Sequence, residues 1–139
     1  MTTADAPMTV LVFSDDARTR AQIISAIGRR PAADLPMVEY AECATQPAVV
    51  ERLDHGDIDV AVLDGEAQPA GGLGICRQAK DEVYDCPPVL VTIARRDDGW
   101  LATWSGADAV VAEPLDPMAV ADAVAALLRQ RRAGRLPVL

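Results

Sequence analysis

Acidic and hydroxyl side chains stand at the ends of several short apolar runs in this sequence. Asp64 directly follows the run VAVL at residues 60–63 and precedes a loop rich in Gly, Pro and Ala. Asp15 and Asp16 follow the run TVLVF at residues 9–13, and Thr92 lies in the run VLVTI at residues 89–93. A continuous apolar run bounded by turn residues indicates a strand buried on both faces, as in parallel sheets. Asp also opens ordinary turns, so the shared position of these residues, rather than Asp64 alone, indicates a site.

The chemistry that such residues support is phosphoryl transfer assisted by a metal ion. Carboxylates gathered at one edge of a sheet need a cation, and oxygen ligands alone favour a hard one such as Mg²⁺. A carboxylate beside bound Mg²⁺ is able to attack a phosphoryl donor. The hydroxyl of Thr92 would then hydrogen-bond the transferred group. We therefore expect Asp64 and Thr92 to be the reacting pair.

The elements that must position these residues alternate regularly along the chain. Apolar runs at residues 9–13, 37–43, 60–63, 89–93 and 109–112 are separated by five amphipathic segments. Asp16 and Asp116 are suited to cap the first and last helices. The alternation predicts an α/β fold, a doubly wound five-stranded parallel sheet with five helices. The second run alternates apolar and polar residues, so it belongs at an edge, and the strand order 2-1-3-4-5 is predicted.

Length and composition limit the function further. The 139 residues suit one domain, predicted at residues 9–130 between flexible ends at 1–8 and 131–139. A net charge of −8 disfavours direct nucleic-acid binding, and the apolar runs are too short to span a membrane. The start of the chain lacks the pattern of a secretory signal, and its three cysteines lack metal-ligand spacing. We expect a cytoplasmic protein with reduced thiols.

Three motifs resemble the receiver domain of two-component response regulators, over about residues 9–130. VLVFSDD resembles the first-strand motif, DVAVLDGEAQPAGGLGICRQAK resembles the phosphoacceptor strand with its loop and helix, and GADAVVAEPLDP resembles the motif that normally contains Lys-Pro. The resemblance implies a flavodoxin-like (CheY-like) fold and a signalling role without enzymatic activity. It also implies a histidine kinase as partner, and a signalling or homodimer face formed by the fourth helix, fifth strand and fifth helix.

The resemblance also assigns roles to single residues. Asp64 matches the aspartate that a histidine kinase phosphorylates, and Thr92 matches the switch hydroxyl. Asp15 matches a metal-binding acid, with Asp16 as a substitute for the other acid of the pair. Glu66 matches the position whose backbone carbonyl binds the metal. The implied cofactor is Mg²⁺, expected to bind weakly.

The sequence departs from the family pattern at three positions that bear on function. Ser14 stands where the family has the first acid of the pair, and Val110 stands where it has the switch aromatic. Glu113 stands where the family has the lysine that neutralises the phosphoryl group. Exchanging lysine for glutamate moves the site two charge units toward negative, against a phosphoryl group of about −1.5 to −2. The chain is therefore an atypical receiver.

Three functions stay open on the sequence alone. The chain is a single-domain receiver phosphorylated at Asp64, a degenerate receiver that binds partners without phosphorylation, or an enzyme on the same fold. The last is disfavoured, because no phosphate-cradling loop follows the first strand. Two local features are also predicted: a cis Glu113–Pro114 peptide, and a contact surface containing Trp100 and Trp104, the alternative being that both tryptophans are core residues.

Overall fold

The computed structural model of the protein describes residues 6–134. Its strands are β1 (Met8–Phe13), β2 (Val38–Cys43), β3 (Val60–Asp64), β4 (Val89–Ile93) and β5 (Ala109–Ala112). Its α-helices are α1 (Ala17–Ile27), α2 (Gln46–Asp54), α3 (Gly72–Glu82), α4 (Gly99–Ser105) and α5 (Pro117–Gly134), and a 3₁₀ turn, Arg96–Asp98, leads into α4. Strands and helices alternate throughout, as predicted.

All five strands are parallel and lie in the order β2-β1-β3-β4-β5. The predicted fold class and strand order are confirmed. Every residue of β3 and of β4 is buried, whereas β2, at the sheet edge, is buried only at Val38 and Cys43 and is exposed at Glu39 and Glu42. The polar residues of β2 thus identify the edge strand, because only a central strand needs two apolar faces.

The sheet carries an apolar core on each face. On β1, Leu11 and Phe13 join one buried cluster, with residues of α2 and α3, while Val10 and Val12 join the other, with α1 and α5. This division follows from the two-residue period of a strand, which sends successive side chains to opposite faces. The two cores fix the strands from both sides and hold their carboxyl ends in one rim.

Helix ends follow the capping residues that the sequence predicts. Asp16 accepts a hydrogen bond from the backbone N of Arg18 at 2.8 Å and caps α1, which ends at Gly28 with φ of 74°. Asp116 accepts from the backbone N of Met118 at 3.1 Å at the start of α5. These caps satisfy backbone groups that the first and last helical turns leave free.

The first strand and the last helix extend slightly beyond the predicted domain of residues 9–130. Strand β1 begins at Met8, whose backbone N donates to Met37 O at 3.0 Å, so pairing with the β2 edge includes one more residue. Helix α5 runs to Gly134 rather than ending near residue 130, and Arg131 contacts Asp85 at 3.2 Å. The other predicted flexible residues, 1–5 and 135–139, lie outside the described residues. Between residues 6 and 134, no helix is both long and apolar enough to cross a membrane.

Candidate functional site at the carboxyl ends of the strands

Asp64 and Thr92 lie side by side at the rim of the sheet. Asp64 ends β3 and pairs in register with Thr92 of β4. Only 5% of Asp64 and 1% of Thr92 is exposed. Two adjacent central strands therefore deliver a carboxylate and a hydroxyl to the same point, as the sequence predicts.

The carboxylate of Asp64 is oriented by two donors. Ser14 Oγ donates to Asp64 Oδ2 at 2.8 Å, and the backbone N of Glu66 donates to Asp64 Oδ1 at 2.9 Å. Both oxygens of the carboxylate therefore accept a hydrogen bond within the fold. The Asp64 carboxylate is thus buried and held in one orientation.

Ser14 helps to orient the Asp64 carboxylate, a role that the sequence did not predict. Its side chain is fully buried, and its Oγ also accepts from the backbone N of Asp16 at 3.1 Å. Arg20 of α1 donates to Ser14 O at 2.7 Å and contacts Glu42 at 3.1 Å. Arg20 therefore braces the residue that orients Asp64. The only sequence signal for this role of Arg20 is its position, one helical turn after Asp16.

Asp15 and Asp16 do not act as an equivalent pair. Asp15 Oδ1 accepts from the backbone N of Gln68 at 3.1 Å, so Asp15 faces the loop after β3. Asp16 is the cap of α1 and would have to give up its bond to Arg18 to bind a metal ion. The acid next to β1 that faces the Asp64 loop is Asp15.

A Mg²⁺ site fits these residues in part. Among residues 6–134, no group of three or more His, Cys, Asp or Glu side chains is placed to hold a metal ion. The donors suited to Mg²⁺ are instead the carboxylates of Asp15 and Asp64 and the backbone carbonyl of Glu66, all hard oxygen ligands. Two carboxylates and a carbonyl would leave further coordination positions to water, as is common for Mg²⁺.

Glu113 lies where its charge acts on this site. The predicted cis Glu113–Pro114 peptide is confirmed, and the backbone N of Glu113 donates to Ile93 O at 2.7 Å. Burial, followed by the negative charges of Asp64 and then Glu66, raises the pKa of Glu113 above its ordinary value. The rim thus contains a further carboxylate in the position where the family pattern expects a cation.

The raised pKa of Glu113 predicts a pH-dependent cost to folding. An acid whose folded pKa exceeds its unfolded pKa binds more protons when folded, so stability falls as pH rises through that interval. We expect Glu113→Gln to raise the free energy of unfolding at pH 7 by less than about 1 kcal/mol, the size of effects between exposed charges. The gain should vanish below the unfolded pKa of Glu, near pH 4. Urea denaturation at both pH values measures it, and an equal gain at the two would contradict the charge argument.

The face formed by α4, β5 and α5 exposes large apolar side chains. Trp100 is 68% exposed, Trp104 is 52% exposed and Val110 is 40% exposed. Both tryptophans therefore lie on the surface, as predicted, and the alternative that they are core residues is wrong. A groove of about 560 Å³ crosses β5, with Gly99 of α4, Val110 of β5 and Ala119 of α5 in its lining. Arg77 stacks its guanidinium over Trp104, 5.5 Å from the ring centroid, which fixes one of the two rings.

Comparisons with known proteins agree with this geometry. The chain is 50% identical over 120 residues to an uncharacterised response regulatory protein found in two strains of Mycobacterium tuberculosis, and the match covers 86% of this chain and 90% of the relative. No family model matches the sequence.

Solved structures show the same fold at low sequence identity. A CheY-like response regulator receiver domain from Methanospirillum hungatei superposes with a TM-score of 0.71 at 15% identity, covering 93% of this chain and 99% of that one. A Francisella response regulator receiver domain gives a TM-score of 0.74 at 16% identity, covering 88% and 98%. With a relative half identical over most of both chains, and with this strand order, the chain belongs to the response regulators of two-component systems, as a receiver domain of CheY-like fold.

Proposed function

We propose that this chain is a receiver phosphorylated on Asp64 and that it signals by protein contact. The observation that carries the proposal is the Asp64 carboxylate, buried at the end of β3 and oriented by Ser14 and by the backbone N of Glu66. Thr92, in register on β4, offers a hydroxyl to the transferred group. This arrangement suits a nucleophile, because the orientation of the carboxylate is fixed before a donor arrives.

In the chemical step, a phosphoryl group passes from a histidine nitrogen of the kinase to a carboxylate oxygen of Asp64. An Asp64 carboxylate oxygen attacks the phosphorus of a phosphohistidine on the kinase. The P–N bond breaks, its electron pair stays on the imidazole nitrogen, which takes up a proton, and an acyl phosphate forms on Asp64. The oxygen that attacks must first lose a donor; if it is Oδ2, the hydroxyl of Ser14 is released.

Mg²⁺ is the proposed cofactor of this step. Asp15, Asp64 and the backbone carbonyl of Glu66 would hold it, with Asp16 available only if α1 loses its cap. When bound, the ion neutralises part of the negative charge of the donor phosphoryl group. The residues of the chain do the rest: Ser14 and Glu66 orient Asp64, and the two buried strands keep it fixed.

A phosphodonor experiment tests the proposal directly. We expect acetyl phosphate with Mg²⁺ to add one phosphoryl group to the native protein, seen by intact mass, and to add none to Asp64→Asn. Thr92→Ala serves as a matched rim variant that removes a hydroxyl but keeps the nucleophile. Labelling of Asp64→Asn at the native level would overturn the assignment, and unlabelled native protein would favour the second function below.

A degenerate receiver that binds partners without phosphorylation is the second candidate. The specific observation in its favour is Glu113, whose charge interacts with Asp64 and Glu66 where a cation is expected. Ser14 in place of an acid points the same way, because it leaves fewer carboxylates for the metal. In that case the surface, rather than the acyl phosphate, would carry the signal.

Receiver domains are signalling modules that interact with histidine kinases and other signalling proteins. For this chain we propose a histidine kinase as the upstream partner, in the cytoplasm, and no enzymatic activity beyond the transfer itself. The described cysteines are free thiols, which fits a reducing compartment.

The exposed tryptophan face is the proposed contact surface, with a homodimer as its first expected use. Large aromatic side chains are frequent energetic centres of interfaces. If the face is used, Trp100→Ala should weaken self-association about tenfold or more, the cost of removing an interface anchor. Tyr84→Ala, at an aromatic that is 96% exposed in the turn after α3, is the matched control. Sedimentation across a dilution series measures the effect, and a native protein that is monomeric at every concentration would contradict it.

A further inference from the structure

Glu66 links the Asp64 loop to the segment that leads into α4. Its Oε1 accepts from the backbone N of Ala94 at 3.3 Å. Ala94 directly follows β4 and precedes the 3₁₀ turn Arg96–Asp98 and α4. A second link, from Gly65 N to Thr92 O at 2.8 Å, joins the same loop to the end of β4 through backbone atoms alone. Only the Glu66 link uses a charged side chain.

The same carboxylate also acts on the rim. Glu66 lies two residues after Asp64, and its backbone N donates to Asp64 Oδ1 at 2.9 Å, which places this residue beside the site. The side chain is exposed, so packing against the core does not hold it at Ala94. Two interactions therefore compete for one carboxylate: the backbone N of Ala94, and any cation bound beside Asp64.

The magnitudes favour the cation. A hydrogen bond to a backbone amide changes an equilibrium by a factor of about 2 to 10, and this one is long and exposed. The attraction between two opposite unit charges about 4 Å apart in water changes an equilibrium constant by a factor of about 5. A divalent ion doubles the attraction energy, so the factor becomes about 25. A divalent ion at the rim would thus attract Glu66 away from Ala94.

We propose that Glu66 is a cation-sensitive strap, which holds the segment before α4 to the rim until a divalent cation binds beside Asp64 and draws the carboxylate away. The inference rests on the metal site of the proposed function. Release of Ala94 frees the 3₁₀ turn and the start of α4, where Trp100 is exposed. Occupancy of the rim is in this way coupled to the proposed contact face through a side chain of this chain alone. Because coupling is reciprocal, the closed strap lowers the cation affinity by the same factor.

Three substitutions separate the charge of Glu66 from its hydrogen bond. Glu66→Gln keeps an acceptor for Ala94 N but removes the charge, whereas Glu66→Asp keeps the charge on a side chain too short to reach. Glu66→Ala removes both, and Glu51→Gln, at an exposed acid of α2, is the charge-matched control. The readouts are the amide signal and hydrogen exchange of Ala94 and the indole signal of Trp100 by NMR, as Mg²⁺ is added.

We expect the amide of Ala94 and the indole of Trp100 in the native protein to shift together with Mg²⁺. Without Mg²⁺, Glu66→Asp and Glu66→Ala should exchange the Ala94 amide about threefold faster, the factor for losing one weak hydrogen bond. Glu66→Gln should keep slow exchange and lose most of the Mg²⁺ response at Ala94. Glu51→Gln should behave as native.

Three results would overturn the strap. Unchanged Ala94 exchange in Glu66→Asp and Glu66→Ala would show that the hydrogen bond does not restrain the segment. Calorimetric Mg²⁺ binding without any shift at Ala94 would refute the cation sensitivity while leaving the metal site of the proposed function intact. Absence of Mg²⁺ binding would refute both the metal site and the cation sensitivity, and labelling of Asp64 by acetyl phosphate would still test the phosphoacceptor separately.

Discussion

Glu113→Lys is expected to raise the phosphorylated fraction of the protein and to lengthen the life of the acyl phosphate about tenfold or more. The substitution replaces a negative charge near Asp64 with a positive one. At about 4 Å and an effective dielectric near 20, one pair of unit charges is worth about 4 kcal/mol. Residue 113 is exposed, so solvent screens much of this. About 1.4 kcal/mol is enough for a factor of ten.

The opposite effect is expected for the metal ion. A lysine at position 113 repels Mg²⁺, so the affinity for Mg²⁺ should fall although phosphoryl retention improves. This divergence distinguishes the charge mechanism from a general repair of the site, which would improve both. Titration calorimetry with Mg²⁺ measures one arm, and the decay of the labelled mass after removal of acetyl phosphate measures the other.

Glu113→Gln is the matched control, because it removes the negative charge without adding a positive one. It should give an intermediate lifetime for the acyl phosphate and an intermediate Mg²⁺ affinity. Asp64→Asn should abolish labelling with any residue at position 113. If the native protein labels as fast and keeps its phosphoryl group as long as Glu113→Lys, then residue 113 does not act on the transferred group.

The strand order was predictable because it depends on a short-range pattern. The alternation of β2 against the continuous apolar runs of β3 and β4 distinguishes an edge from the centre of a sheet. The pairing of Asp64 with Thr92 then follows, since the carboxyl ends of neighbouring parallel strands meet at one edge. Periodicity thus carried both the fold and the position of the proposed reacting pair.

The partners of these residues were not predictable in the same way. Ser14 looked like a loss of the acid pair, yet its hydroxyl orients Asp64 across 50 positions of sequence. Glu66 was assigned only a backbone carbonyl, whereas its side chain reaches Ala94. Such contacts depend on where two loops meet in space, and the local pattern of apolar and polar residues does not indicate that meeting point.

The Gly-rich loop after β3 illustrates the same difference, because the sequence does not say which glycine is required. A Cβ added to Gly65 would lie well within 3.0 Å of the backbone oxygen of Thr92, closer than real Cβ contacts come. The same oxygen accepts the backbone N of Gly65 at 2.8 Å. At Gly74, on the exposed side of α3, an added Cβ meets nothing within 4 Å.

Gly65→Ala is therefore expected to lower the free energy of unfolding by about 2 to 4 kcal/mol, combining overpacking with a weakened hydrogen bond. Gly74→Ala should raise it by about 0.5 to 1 kcal/mol, because alanine is the better helix former and has space. Adding the same methyl group is thus expected to change the free energy of unfolding in opposite directions at two positions that are nine residues apart. Urea denaturation of the two variants measures both.

Gly65→Ala should also damage the site itself. Moving Gly65 away from Thr92 shifts the backbone N of Glu66, which orients Asp64 Oδ1 at 2.9 Å. Labelling by acetyl phosphate should then fall even at temperatures where the variant is fully folded, whereas Gly74→Ala should label as native. A Gly65→Ala protein with native stability and native labelling would mean that the loop yields freely, so the close approach of Gly65 to β4 would have no part in holding Asp64.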